Sequence, residues 1–221
     1  MSIPTRVIRG LSEIADRYDA FILDLWGCLH DGIVVYPAAL EALRQLKAAG
    51  KRALILSNAP RRAREVAARI AEMGITPDLY EFLHTSGEET WRELAQNEIA
   101  ALQERGRKLY PIMAARDRTM LDGIDVELVD DPAQADFMLV TGTETGKEDI
   151  ASFDPLLAPA AARGVPLVCA NPDLVVHRGG VEEICAGSVA QRYERMGGPV
   201  IWFGKPYPAV YRRILEECDL K

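Results

Sequence analysis

Short apolar runs that end abruptly in polar turn chemistry recur along the chain. The first lies in residues 20–32, AFILDLWGCLHDG, where Ala20 to Leu23 are apolar, Asp24 stops the run and a glycine-bearing turn follows. A short apolar run bounded by turn residues suits a buried parallel strand. Residues 26–37 read as a loop or small flap, and Pro37 opens a helix at a favoured first-turn position. Leu40, Leu43 and Leu46 make its apolar face. Gly50 supplies the stop, because glycine takes the left-handed conformation cheaply. RALILSN at 52–58 is a second buried strand, and RRAREVAARIAEMG at 61–74 a second helix with Val66, Ile70 and Met73 on one face. The order strand, helix, strand, helix predicts a parallel α/β sheet with right-handed crossovers.

From about residue 86 the pattern restarts. EETWRELAQ reads as helix, RKLYPIMA as strand, VELVDDPAQADFMLVTG as a strand pair and FDPLLAPAAARG as helix. PLVCANPD is a further strand, and ICAGSVAQRYERMGG a helix closed by tandem glycines. Residues 86–191 thus form a second α/β unit, inserted into a first unit made of 1–85 and 192–221. The first unit resumes with VIWFGKPYP at 200–208 and closes with a helix over PAVYRRILEECDL.

Composition narrows the class without choosing a chemistry. The 221 residues are 48% hydrophobic and 27% charged, an ordinary globular balance, and can bury a real core. Lys and Arg number 26 against 33 Asp and Glu, a formal net charge of -7 that argues against a nucleic-acid partner. The basic run RRAR at 61–64 reads as a helix start facing solvent. Cys28, Cys169, Cys185 and Cys218 form no CxxC pair and suit reduced thiols in the cytoplasm. No leader-like N-terminus and no apolar stretch long enough to span a membrane occur, so no membrane partner is expected.

Three small motifs fall at or beyond strand ends: Asp24, Ser57-Asn58 and Gly204-Lys205-Pro206. In one parallel sheet these ends converge on a single edge, where open α/β sheets bind ligands. A carboxylate, a hydroxyl with an amide, and an ammonium suit a phosphoryl group. The carboxylate attacks phosphorus, and serine and lysine hold the transferring oxygens. Other signals fail. TGTETGK at 141–147 has the wrong glycine spacing for a P-loop, and Glu148 stands where Ser or Thr should bind magnesium, so it reads as a loop. No GxGxxG fingerprint occurs, and His30, His84 and His177 make no zinc-type pair.

DLWGCLHDG, LSN and GKPYPAVY, together with TSGEET (85–90), CANPD (169–173) and ICAGSVAQ (184–191), resemble the motifs of the haloacid dehalogenase-like hydrolase superfamily, subclass IIA. The resemblance runs over essentially the whole chain. It implies a Rossmann-like parallel-sheet core with a large inserted α/β cap, and a magnesium-dependent phosphohydrolase of small phosphomonoesters of the sugar-phosphate or nucleotide class. On that resemblance Asp24 is the nucleophile that becomes an aspartyl phosphate, and Asp24 with the backbone carbonyl of Trp26 ligates Mg2+. Ser57 binds the phosphoryl oxygens, Asn58 positions the loop, and Lys205 offsets the charge of Asp24 and the phosphate. Asn171 and Asp173 lie in the cap beside the substrate. The partner is then a small phosphorylated metabolite, with room for a homodimer formed through the cap.

Two departures qualify the resemblance. Phosphatases of the family carry a second Asp two residues after the nucleophile, as general acid and base, and here that position is Trp26. Loss of a positioned acid or base costs roughly 10²–10⁴ in rate. His30 and Asp31 on the flap are the nearest substitutes by sequence. The family's fourth, Asp-bearing motif should follow the GKP helix by one strand, whereas Lys221 ends this sequence directly after that helix. The expectation is a truncated form with a weak metal site and an open edge on the Asp24 strand. Two other readings stand beside the phosphatase: a catalytically silent phosphate-binding protein, and, remotely, a 2-haloacid dehalogenase, whose family members also carry an aromatic residue two positions after the nucleophile.

Overall fold

The computed structural model describes residues 7–220. The chain runs β1 (Ala20–Leu23), α1 (Pro37–Ala48), β2 (Arg52–Ser57), α2 (Ala63–Glu72), β3 (Phe82–Thr85) and α3 (Ser86–Ala95). It continues with β4 (Lys108–Ile112), β5 (Glu127–Leu128), β6 (Phe137–Val140), α4 (Asp154–Ala162) and β7 (Leu167–Cys169). A hairpin of β8 (Val175–Arg178) and β9 (Val181–Ile184), then α5 (Ala186–Arg195), β10 (Val200–Trp202) and α6 (Pro208–Glu217), complete it. The α/β architecture with parallel sheets matches the expectation.

β1, β2 and β3 form a three-stranded parallel sheet in chain order. Alternation along β2 makes this sheet two-faced, as the pleat requires. Ala53 and Ile55 pack with Leu43 and Leu46 of α1 and Val66 and Ile70 of α2. Leu54 and Leu56 point the other way, onto Val210 and Ile214 of α6. The second sheet has five parallel strands in the order β10-β7-β6-β4-β5. One of its faces is covered by α4 and α5 through Leu157, Ala160, Val189 and Tyr193. The other receives Leu94 of α3, Met120 and Phe203. Helix α3 therefore leans on both sheets, contacting β3 and α6 on one side and the second core on the other.

Three elements differ from the sequence expectation. Val200–Trp202, grouped by sequence with the first unit, pairs with β7 in the five-stranded sheet. Its apolar run is equally compatible with either sheet, and pairing decides. β3 was not anticipated, because FLHT is four residues with a histidine in the middle; His84 is accommodated by a buried 2.7 Å hydrogen bond to Glu89. The β8–β9 hairpin was missed too, although Gly179-Gly180 at its turn is a recognised hairpin signal. Among the described residues no helix is long and apolar enough to cross a membrane.

Candidate active site

Parallel strands send their carboxyl ends to one edge, and that edge of the first sheet carries two predicted groups. Asp24 follows β1 directly and Ser57 ends β2. Lys205 reaches the same place from elsewhere, one turn after β10 of the second sheet, so the site is built from two sheets and not from one edge. Its ammonium donates to Asp24 Oδ1, and also to the Leu56 carbonyl oxygen at 2.8 Å.

Asn58 fastens the three segments together. Its Nδ2 donates to Asp173 Oδ1 at 2.8 Å and to the Lys205 carbonyl at 3.2 Å, and its Oδ1 accepts from the Lys205 amide at 2.7 Å. Gly204 makes this approach possible. It has a φ of 106°, and a Cβ there would fall 2.6 Å from Pro172 and 2.7 Å from Asn58 Oδ1. Ser57 Oγ accepts from the Ala59 amide at 3.1 Å, and Asn171 Oδ1 from the Asp173 amide at 2.9 Å, so both shape the turns that follow their strands. A cleft of about 700 Å³ between the two sheets is lined by all the sequence-predicted site residues, Asp24, Trp26, Ser57, Asn58, Asn171, Asp173 and Lys205.

Trp26 lies two residues after Asp24, and its indole is committed to packing. The ring N–H donates to the His177 carbonyl at 3.0 Å, the Arg178 guanidinium lies 4.8 Å from the ring centroid, and His30 meets it edge-on. Gly32 is tied to the same ring: with φ of 89°, it would place any Cβ 2.3 Å from an indole carbon. The indole thus joins the flap after β1 to the β8–β9 hairpin. The loop's backbone hydrogen bonds use the Leu25 and His30 carbonyls, and among the described residues no backbone amide donates to that of Trp26.

The sequence candidates for a replacement acid do not suit the role. His30 is buried, does not line the cleft, and its Nδ1 accepts from the Gly32 amide at 2.8 Å. Burial lowers its pKa, against the nearby charges of Asp31 and Asp24. Asp31 lines the cleft, but backbone amides of Val34 and Ile33 donate to it and lower its pKa, which favours the ionised form. Asp173 differs. Burial raises its pKa against the lowering effects of Asn58 and Lys205, with Asp24 adding to the rise.

The cleft and its surroundings carry groups that sequence reasoning missed. Arg61 and Arg62 precede α2 and do not face solvent as the basic run suggested. Arg62 is buried, in a bidentate pair with Glu88 at 2.8 and 3.1 Å, and lies 3.4 Å over the Trp91 ring. Arg61 lines the cleft, its carbonyl held by the Thr85 hydroxyl at 2.6 Å. Its Nε lies 3.7 Å from Oδ1 of Asp117, a buried residue of the short helix Ala115–Leu121, and Arg116 lies 4.0 Å from the same oxygen. Thr141 donates to the other Asp117 oxygen at 3.2 Å. The only signal for these residues in the sequence was the RRAR run, which ordinary surface helices share.

Comparison with known proteins agrees with this architecture. A family model described as haloacid dehalogenase-like hydrolase matches residues 21–127. A hydrolase of the haloacid dehalogenase-like family from Brucella suis 1330 is 31% identical, with a TM-score of 0.87, over 96% of this chain and 76% of that one. A possible sugar phosphatase of the same superfamily from Cytophaga hutchinsonii is 20% identical, with a TM-score of 0.75, over 97% and 77% of the two chains. The glycerol phosphate phosphatase of Mycobacterium tuberculosis, in complex with magnesium, is 24% identical, with a TM-score of 0.68, over 94% and 61%. The last two share the fold and carry no further argument about chemistry. No curated protein sequence matches the chain.

Proposed function

This chain belongs to the haloacid dehalogenase-like hydrolase family, and from that premise we propose that it is a magnesium-dependent phosphohydrolase of small phosphomonoesters. The observation that carries the reading is the Lys205 ammonium bonded to the Asp24 carboxylate beside Ser57, with Asn58 fastening the loops around them. On this reading residues 86–191 act as a cap over the cleft, and the substrate is of the sugar-phosphate or nucleotide class that the sequence suggested.

The donor set fits magnesium in a limited way. Among the described residues no group of three or more His, Cys, Asp or Glu could hold a metal alone. Asp24 and the Trp26 carbonyl are hard oxygen donors, and Mg2+ commonly binds through one or two carboxylates while keeping waters and sharing phosphate oxygens. When bound it would offset the negative charge of the phosphoryl oxygens. The protein's own groups do the rest. Asp24 attacks phosphorus, forming an acyl phosphate as the ester P–O bond breaks. Ser57 and Lys205 hold the equatorial oxygens where charge collects. Asp173 donates the proton that the leaving oxygen requires and then takes one from the water that attacks the acyl phosphate. That water takes the phosphoryl group as inorganic phosphate and returns Asp24 as the carboxylate.

Phosphate release from a panel of phosphomonoesters, with and without magnesium and in Asp24→Asn, tests the reading. Turnover that requires both supports it, and turnover retained in Asp24→Asn removes Asp24 from the mechanism. Trp26 favours a second reading, a silent phosphate-binding protein, because its indole is committed to the hairpin. Stabilisation by phosphate without turnover of any ester would select it.

A further inference from the structure

The cleft is larger than one phosphoryl group needs, and three arginines besides Lys205 line it. Arg61 comes from the β2–α2 loop, Arg116 from the short helix Ala115–Leu121 and Arg178 from the β8–β9 hairpin, and all three line the cleft. Two carboxylates stand among them. Glu183 is engaged by Arg178 at 3.1 Å, while Asp117 lies 3.7 and 4.0 Å from Arg61 and Arg116, beyond hydrogen-bond distance of either. Arg61 Nε and Asp117 Oδ1 are buried without a hydrogen-bond partner. These two atoms face each other as a loose ion pair, which leaves the other N–H groups of the Arg61 guanidinium for a ligand. Burial lowers the Arg61 pKa against the pull of Asp117, and the charges of Arg116 and Arg178 lower it further.

We propose that Arg61 and Arg116, with Asp117 between them and Arg178 alongside, form a second anion subsite, so that the preferred substrate is a small phosphomonoester carrying a further carboxylate or phosphate. A guanidinium presents a planar fork of N–H donors that matches a carboxylate or a phosphate, and neither Arg61 nor Arg116 uses a side-chain donor within the described protein. A neutral hydroxyl could accept from one such fork but would leave the converging positive charge uncompensated. The inference rests on the phosphatase reading for the first phosphate and adds the chemical class of the rest of the substrate.

The test compares kcat/KM for matched esters: glucose 6-phosphate against 6-phosphogluconate for an added carboxylate, and fructose 6-phosphate against fructose 1,6-bisphosphate for an added phosphate. The expected result is a preference of about tenfold or more for at least one doubly anionic member, and the favoured pair identifies the group. Arg116→Met, at an exposed position, should collapse that preference, and Arg116→Lys should restore part of it. A ratio near one in both pairs, or one unchanged in Arg116→Met, overturns the proposal. Calorimetric titration of the same esters into Asp24→Asn separates the two levels of inference. Tighter binding of the dianionic ester, lost on adding Arg116→Met, upholds the subsite even if no ester is turned over; equal binding refutes it even if turnover is seen.

Discussion

In the five-stranded sheet every side chain of β6 and β7 is buried, with helices on one face and Leu94, Met120 and Phe203 on the other. In the three-stranded sheet β1 lies at the edge, and Ile22, two residues before Asp24, is 40% exposed. Asp24, the proposed nucleophile, thus sits on the less protected sheet. It is held less by burial than by hydrogen bonds that Asn58 and Lys205 carry across from other segments. A ligand-facing strand end cannot be sealed without closing the site, so local order there depends on directional polar contacts while the neighbouring sheet supplies the dry core. Activity and stability should therefore respond to different residues.

The sharpest separation is expected at Asp24. Asp24→Asn should lower phosphate release by at least about 10⁴-fold, as removal of a nucleophile commonly does, with little change in melting temperature. A similar loss accompanied by unfolding would erase the distinction between the two sheets. Asp173→Asn should cost roughly 10²–10⁴ in kcat for alkyl esters and much less for p-nitrophenyl phosphate, whose leaving group needs no proton. Because burial raises the Asp173 pKa, its proton-carrying form is present at low pH and is lost as pH rises through that raised value. The fall in kcat as pH rises through that value should therefore disappear in Asp173→Asn. On the other side of the comparison, Leu139→Ala in β6 should destabilise by about 2–5 kcal/mol in denaturant titration. Ile22→Ala on β1 should cost about 1 kcal/mol or less, since much of its side chain already meets water. Equal costs would mean that the two sheets share one cooperative core.

The smallest expected effect concerns acid. Burial pushes the Glu148 carboxyl up, but hydrogen bonds from the Thr143 hydroxyl and Thr145 amide outweigh it, and its pKa falls to about 2. A carboxylate depressed in the folded state contributes stability above its unfolded pKa of about 4.3. That contribution is lost as pH falls through the folded value of about 2. Glu148→Gln should therefore lower stability at neutral pH and flatten the acid limb between those values, so that the two profiles converge as pH falls to about 2.

The parts of this site legible in the sequence are those where one short segment carries both a strand and its chemistry. Asp24 after AFIL, Ser57-Asn58 after RALIL and Lys205 in GKP each announce themselves beside an apolar run. The cleft arginines have no such signature, because Arg61, Arg116 and Arg178 meet only when three distant segments fold together. Val200–Trp202 shows the limit for topology: its apolar residues specify a strand, but the identity of the neighbour is a tertiary choice. His30 shows it for chemistry. Proximity to Asp24 in sequence made it a candidate acid, yet the turn at Gly32 points its ring into the protein.

Trp26 has an optical consequence as well as a packing one. It is the only one of the three tryptophans that lines the cleft, and its indole is hydrogen-bonded to the hairpin and lies against the Arg178 guanidinium. A chromophore so placed should change its emission when the hairpin separates from the flap or when a ligand displaces Arg178. This tryptophan would then give the protein a native reporter of how the cleft fills, readable by stopped-flow fluorescence without any attached label.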